Sequence, residues 1–440
     1  MMKQIFKKII VFILTLEARA VLWRYKPKIA AVTGSVGKTS TKEAAAIVLG
    51  RKFSIRKSQK SFNSEIGVPL VVLGLENAWL NPLLWCVNIL KGLSLFLFKH
   101  NYPEWLILEM GVERPGDIER LVSWANPHVA VVTALAEIPV HVEFFAGPKE
   151  LFNEKAKILK HLKIDDYAVL NCDNDTVCDL KNKIRAKIIS FGFGEGADLV
   201  ASNYRVTPEG ISFKVDCDGS SIPVRLSNVF GKHHVYPALA ALAVGKAAGI
   251  NFVEMSDALL SYLPPPGRLR LLKGVKNTSI LDDTYNSSPM ALRAALETLA
   301  DIPVYPAEGG AGRKIAVLGD MLELGKYTIE AHRAMAEYIL KAGVEIVFTV
   351  GPRAKFIAEA LRENGFKKKN IFEFSGSVEA AKEVEKIIKE GDLILLKGSQ
   401  FMRMEKIVEE IMAEPEKKGE LLARQEKAWL NKKLEKKSND

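Results

Sequence analysis

Thirteen residues beginning at Ala31, AVTGSVGKTSTKE, constrain the fold more than any other stretch of this chain. The apolar run leading into them, KIAAVT, reads as a buried strand, and the alanine-rich run that follows, closed by Gly50, reads as a helix. A strand, a glycine turn and a helix start make an anion cradle, because backbone N–H groups and the positive end of the helix dipole face whatever sits in the turn. Gly-Lys-Thr at the end of the turn adds a cation, Lys38, and a hydroxyl, Thr39, suited to nucleotide phosphates and their Mg2+. The general phosphate loop is G-x-x-x-x-G-K-[ST]. Here Val32 stands where its first glycine would be and the nearest glycine is Gly34, so the loop is a shortened one.

Continuous apolar runs at residues 105–111 and 129–135, with helical patterns between them, continue the rhythm of a mostly parallel sheet covered on both faces. Short alternating runs over residues 198–226 read as an antiparallel edge or hairpin, and PALAALAVGKAAG after them as a strong helix. Three prolines and a glycine in YLPPPGRLR make a stiff turn and a domain boundary. Beyond it SILDD, KIAVLGD, EIVFTVG and DLILLKGS begin a second α/β rhythm. The predicted fold class is therefore α/β: a central P-loop ATPase domain with a mostly parallel sheet over residues 28–263, and a C-terminal Rossmann-like α/β domain over residues 264–412. Residues 1–27 read as an apolar N-terminal helix, 78–98 as an apolar insertion in the central domain, and 413–440 as a charged helical tail.

The two apolar segments bear on location. Lys3, Lys7 and Lys8 ahead of IIVFILTL, with Ala18 and Ala20 behind it, imitate a secretory signal. Cleavage there would leave about ten residues before a loop built for a cytosolic nucleotide, so the segment is read as a helix, buried or lying on a membrane. It is too short to span a bilayer, which takes about 20 apolar residues. Residues 78–98 are interrupted by Asn81, Pro82, Asn88 and Lys91. They read either as a helical insertion packed on the first domain or as an interfacial membrane contact acting with Ile9 to Leu16. The net charge of +10 suits anionic ligands or an anionic membrane. No zinc-finger spacing or aromatic–basic signature directs it to nucleic acid. Cys86, Cys172, Cys178 and Cys217 show no C-x-x-C pair and are expected as unpaired cytosolic thiols.

The form T-G-x-x-G-K-T resembles the loop of the Mur ligase family, ATP-dependent amide-bond ligases of peptidoglycan precursor synthesis. FNSEIGVP, LEMGVERPGDIERL, LDDTYNSSPMALRAAL, AVLGDMLELG and LLKGSQFMRME follow in the family's order, so the resemblance covers roughly residues 28–411. It implies that Gly34, Ser35, Val36, Gly37, Lys38, Thr39 and Ser40 hold ATP, joined from the domain boundary and beyond by Arg268, Asp283, Tyr285 and Asn286, with Asp283 on the ribose. It implies Thr39 and Glu109 as ligands of one Mg2+, and His141 with a CO2-derived carbamate on Lys155 at a second. Lys38, Lys155, His141 and Arg268 form the implied catalytic set. His332, Lys397, Gly398 and Ser399 are implied on the substrate side.

The implied reaction joins a carboxylate to an amine through an acyl phosphate, with a peptidoglycan precursor and a D-amino-acid dipeptide as partners and a cytoplasmic monomer as the working unit. A related ligase with a different or lipid-linked acceptor, and a membrane-associated ATP-binding scaffold without turnover, are the alternatives. The chain departs from the family pattern in three places. Only about thirty residues precede the loop, where family members carry a domain that grips a UDP-sugar. His234 and Pro237 replace two asparagines in GKHHVYPALAA, and Pro139 and Val140 precede His141.

Overall fold

Alternate residues of the first strand face opposite sides of a sheet, and this organises the larger half of the molecule. The computed structural model describes residues 2–58, 62–79, 81–304, 312–426 and 429. The first sheet comprises β1 (Lys28–Thr33), β2 (Ile55–Lys57), β3 (Trp105–Glu109), β4 (Val129–Val132), β5 (Tyr167–Asn171), β6 (Lys187–Gly192), β7 (Leu199–Thr207), β8 (Gly210–Cys217) and β9 (Ser220–Ser227). Their spatial order is β2-β3-β1-β4-β5-β6-β7-β8-β9. Strands β2 to β7 run parallel, and β7, β8 and β9 form an antiparallel meander at the edge. Because β3 and β4 flank β1 on opposite sides, the carboxyl end of β1 is a switch point, where open α/β sheets place ligands.

Ala30 and Val32 of β1 point to one face. There they meet the alanine-rich helix that follows the glycine loop. The opposite face, with Ile29 and Ala31, receives the N-terminal helix. The helices in chain order are α1 (Met2–Tyr25), α2 (Lys38–Leu49), α3 (Gly67–Leu73), α4 (Pro82–Leu97), α5 (Asp117–Val122), α6 (Pro148–Ala156), α7 (Asp175–Cys178), α8 (Val235–Ala247) and α9 (Phe252–Leu259). Small residues let α2 and α8 approach closely: a Cβ on Gly245 of α8 would meet Val48 of α2 at 2.6 Å. Ile10, Leu14, Ala18 and Val21 of α1 are buried at helical spacing against α3 and the sheet. The expected insertion is α4, capped by Asn81 accepting from Leu84 N, and it lies alongside α1.

The second sheet contains β10 (Arg270–Lys273), β11 (Ser279–Asp283), β12 (Lys314–Gly319), β13 (Ile346–Val350), β14 (Ile371–Phe374) and β15 (Leu393–Lys397), in the order β10-β11-β15-β12-β13-β14. Only β10 is antiparallel. Helix α10 (Pro289–Asp301) follows β11, and α11 (Thr328–Lys341) follows β12. The proline turn separates the two sheets. Gly267 there has φ +70°, and a Cβ would sit 2.9 Å from Tyr285 N, so glycine is needed both for conformation and for space. Asp282 pins this turn by accepting from Gly267 N at 3.1 Å and from the Thr284 hydroxyl at 2.6 Å.

Two expectations change. Cys172 and Cys178 are not unpaired thiols: the turn from β5 into α7 brings them together as a disulfide, while Cys86 and Cys217 are free. The tail expected over residues 413–440 begins with short exposed helical turns over Pro415–Lys417 and Lys418–Leu421. It is not exposed throughout: Leu422, Ala423 and Arg424 are buried, and Arg424 donates to Glu405 at 3.0 Å. Residues 427, 428 and 430–440 of the expected tail lie outside the described residues.

Candidate active site

The shortened loop works because glycine occupies the two positions where a side chain would fail. At Gly34, φ is +150° and an added Cβ would collide with the Thr133 hydroxyl at the end of β4. At Gly37, φ is +80°, the left-handed turn that opens α2. Neighbouring backbone then locks the loop: Ser35 N donates to Ala134 O at 2.6 Å, and Thr133 Oγ1 donates to Val36 O at 2.6 Å. The first N–H groups of α2 have no intrahelical acceptor, so they remain available to an anion. Lys38 Nζ lies over the loop, donating to Gly34 O at 2.9 Å. Burial, opposed by Glu109 and reinforced by Arg268, holds its amine below the ordinary lysine value.

Glu109 ends β3, one strand over from the loop, and accepts from Thr39 Oγ1 at 3.0 Å. Asn63 holds its other oxygen, with Nδ2 at 3.1 Å. Arg268 reaches in from the proline turn and donates to the same Thr39 hydroxyl at 3.3 Å. Its guanidinium stacks on Tyr285, 4.0 Å from the ring centre, and Arg424 covers that ring at 5.1 Å. Oxygen donors from Thr39 and Glu109, buried and hydrogen-bonded to each other, fit a hard cation such as Mg2+, which takes one or two protein oxygens and completes its shell with phosphate and water.

Lys155 on α6 is 5% exposed, and its Nζ donates to Ser35 Oγ at 3.1 Å. Burial and then the charge of Lys38 push its amine well below the usual lysine value. A neutral amine is the form that reacts with CO2, so the residue fits carbamylation.

A cleft of ≈960 Å³ runs from the loop across both domains. Ser35, Thr39, His141, Lys155, Arg268 and Asp283 all line it, as do Ser40, Asn286 and Lys397. Other expected residues are placed differently. His141 adopts φ +71° and brings Nδ1 to 2.8 Å from Glu323 of the C-terminal domain, outside good hydrogen-bond alignment, whereas the resemblance implies it beside Lys155 at a second Mg2+. Among the described residues, no three His, Cys, Asp or Glu side chains cluster as a metal site. Asp283 accepts from Lys397 Nζ at 2.6 Å, so the expected ribose acid and the expected substrate-side lysine are partners.

His332 does not reach the substrate side. It is fully buried, its Nε2 accepts from Met321 N at 3.0 Å and its Nδ1 donates to Thr328 O at 2.7 Å, a neutral histidine that pins the loop after β12. Ser399 is likewise buried and accepts from Leu322 N at 2.9 Å, and a Cβ on Gly398 would meet Gly319 at 3.1 Å. These side chains fix the backbone between β12 and β15. Four contributors carry no role in the sequence reading: Asn63, Glu323, Arg424 and His233, whose Nδ1 meets Thr298 Oγ1 at 3.3 Å beside the cleft. The motif FNSE contains Asn63 and AVLGDMLELG contains Glu323, so the signal lay in the quoted segments; nothing in sequence spacing marks Arg424.

A parallel sheet with a glycine cradle at its switch point, facing a second α/β domain across an arginine, defines a two-domain nucleotide-dependent ligase architecture. The Mur ligase middle domain family matches residues 88–245, and the Mur ligase glutamate ligase domain family matches residues 267–400. The chain belongs to the Mur ligase family. The UDP-N-acetylmuramoyl-tripeptide–D-alanyl-D-alanine ligase of Bacillus subtilis is 30% identical over 399 residues, 90% of this chain and 79% of that protein. Among solved structures, MurF from Acinetobacter baumannii is similar with a TM-score of 0.74 and 25% identity, over 90% of this chain and 79% of that one. The MurF ligase of Thermotoga maritima, solved with ADP, gives 0.73 and 28% over 93% and 84%.

Proposed function

We propose that this chain is an ATP-dependent ligase that joins D-alanyl-D-alanine to a UDP-N-acetylmuramoyl tripeptide, the reaction named in its Bacillus subtilis relative. One observation carries the reading: Thr39, Glu109 and Arg268, from the loop, the neighbouring strand and the domain junction, meet through hydrogen bonds of 3.0 and 3.3 Å at the mouth of a phosphate cradle. Residues 28–263 and 264–412 act as the two jaws. A single chain is the working unit, because loop, arginine and opposing domain all belong to one polypeptide, and the cytoplasm, where ATP is available, is its location.

A carboxylate oxygen of the tripeptide attacks the γ-phosphorus of ATP, forming an acyl phosphate as the bond to ADP breaks. The amine of the dipeptide then attacks the acyl carbon, an amide bond forms, and phosphate and a proton depart. The loop N–H groups and Lys38 stabilise charge on the transferring phosphoryl group. Arg268, held flat by Tyr285, complements them from the second domain. Thr39 and Glu109 would hold Mg2+, which neutralises phosphate charge when bound. Lys155, as a carbamate after its neutral amine attacks CO2 and loses a proton, would place an anion where an ammonium stands and support a second cation. Closure about the 264–267 turn keeps water from the acyl phosphate.

Phosphate release from Mg·ATP tests the reading. Release should require both the tripeptide and D-alanyl-D-alanine, and Lys38→Ala should abolish it. Release that ignores either substrate refutes the assignment.

A further inference from the structure

The outer faces of α1 and α4 are apolar and uncovered. At 3.6 residues per turn, Ile5, Ile9, Phe12, Leu16 and Trp23 fall on one stripe of α1, opposite its buried face. Phe12 is 63% exposed and Trp23 73%. Leu83, Leu84, Val87, Leu90 and Leu97 extend the surface along α4, with Leu83 at 77% exposed and Trp79 exposed at its start. Tryptophans near the two helix ends are typical of a protein seated at a lipid–water boundary.

The exposed charge on the two helices themselves has one sign. Lys8, Arg19, Arg24 and Lys91 are exposed on the two helices. Glu17 is the only carboxylate on either, and it turns inward against Gly92 of α4, where an added Cβ would collide with it. Burial raises its carboxyl to about 7. At the end of the stripe a separate groove of ≈540 Å³ is lined by Arg19, Lys26 and Lys163 with Trp23, Trp124 and His128, and among the described residues no carboxylate lines it. An apolar face, a cationic flank and an aromatic, cationic groove match acyl chains beside anionic headgroups. No helix among the described residues is long and apolar enough to cross a membrane.

We propose that α1 and α4 dock this protein on an anionic lipid bilayer, lying in its interface, with the Arg19–Lys26–Lys163 groove taking a lipid headgroup. The inner side of α1 adds a consequence that rests on the ligase reading. Lys7 lines the catalytic cleft and pairs with Glu65 at 2.9 Å, so docking would hold the cleft within about one helix diameter, roughly 10–12 Å, of the lipid. An acceptor carried on a membrane lipid would then arrive at the cleft by diffusion in two dimensions.

Flotation of the full chain with vesicles of phosphatidylcholine alone, or mixed with phosphatidylglycerol, tests the docking. The chain should float with the anionic vesicles and not with the neutral ones, and salt should weaken the binding. Phe12→Glu with Leu90→Glu should abolish flotation. Arg19→Glu with Lys26→Glu, both at exposed positions, should lower the bound fraction on the order of tenfold. Both variants should keep wild-type turnover on soluble substrates, which shows that they are folded. Wild-type protein that stays at the bottom of the gradient, or charge-reversed protein that floats equally, overturns the proposal. So does a dimer, seen by light scattering and dissolved by the Phe12 and Leu90 changes, in protein that does not float. Flotation without ligase activity would leave docking intact and remove the ligase reading; ligation without flotation would do the reverse.

Discussion

Thr39 and Glu109 show how far one hydrogen bond can locate a site. The 3.0 Å contact joins a helix start to a strand end seventy residues away, and Asn63 keeps the carboxylate aimed. Glu109→Gln keeps the shape and removes the charge that a cation needs; turnover should fall by about 10²–10³-fold with the fold intact, measured by phosphate release and circular dichroism. Lys155 can be checked without activity: protein equilibrated with isotopically labelled bicarbonate should show a carbamate carbonyl resonance that Lys155→Ala lacks. His332 makes a prediction about stability. Burial holds its pKa at about 4, against about 6.5 in the unfolded chain. Below pH 6.5 the unfolded chain takes up a proton that the folded chain refuses until about pH 4, so the contribution is complete above 6.5 and lost as pH falls through this window. The stability advantage of wild type over His332→Asn should shrink by about 3 kcal/mol between pH 6.5 and 4, measured by urea unfolding.

Among the elements, α1 carries two faces with different duties. Its inner face, Ile10, Leu14, Ala18 and Val21, belongs to the core beneath β1. Leu14 is completely buried, so Leu14→Ala should cost about 2–5 kcal/mol in denaturant unfolding, whereas Phe12→Glu on the outer face should change stability by less than about 1 kcal/mol. The inner face of the helix is therefore packed as part of the domain. Of the two N-terminal expectations, burial is met by the inner face; 3.6 residues per turn leaves the opposite face to other surroundings, and there the proposed bilayer contact would lie. The strands after the loop were legible for a related reason: strands buried on both faces read as unbroken apolar runs. Strands β5 and β6 are short apolar runs among charged neighbours and carry little signal in the sequence, and β2, three residues long, is too short to carry a period.

At the scale of the whole molecule, the two domains meet across the cleft, and one of these meetings is at His141 on its wall. His141 approaches Glu323 at 2.8 Å, and Gly325 packs its α-carbon face toward Glu143, where a Cβ would come within 3.3 Å. This contact bridges the jaws without touching the phosphate loop. Glu323→Ala should leave the affinity for Mg·ATP unchanged in calorimetry while lowering turnover by about tenfold, because the closed arrangement loses a support. Equal loss of both would place Glu323 in nucleotide binding instead.

Local pattern alone determined the α/β class, the phosphate loop and the break at the prolines, since strand periodicity, glycine turns and helix starts are short-range effects written in consecutive residues. The motif order likewise brought Thr39, Glu109, Lys155 and Arg268 into consideration. Partnership was decided only in three dimensions. Asp283 met Lys397, His141 met Glu323, His332 turned into the core, two cysteines paired, and Arg424 folded back beneath Tyr285. A side chain's role depends on what burial removes from water and what the packed chain sets beside it, and those neighbours come from residues that the sequence holds far apart.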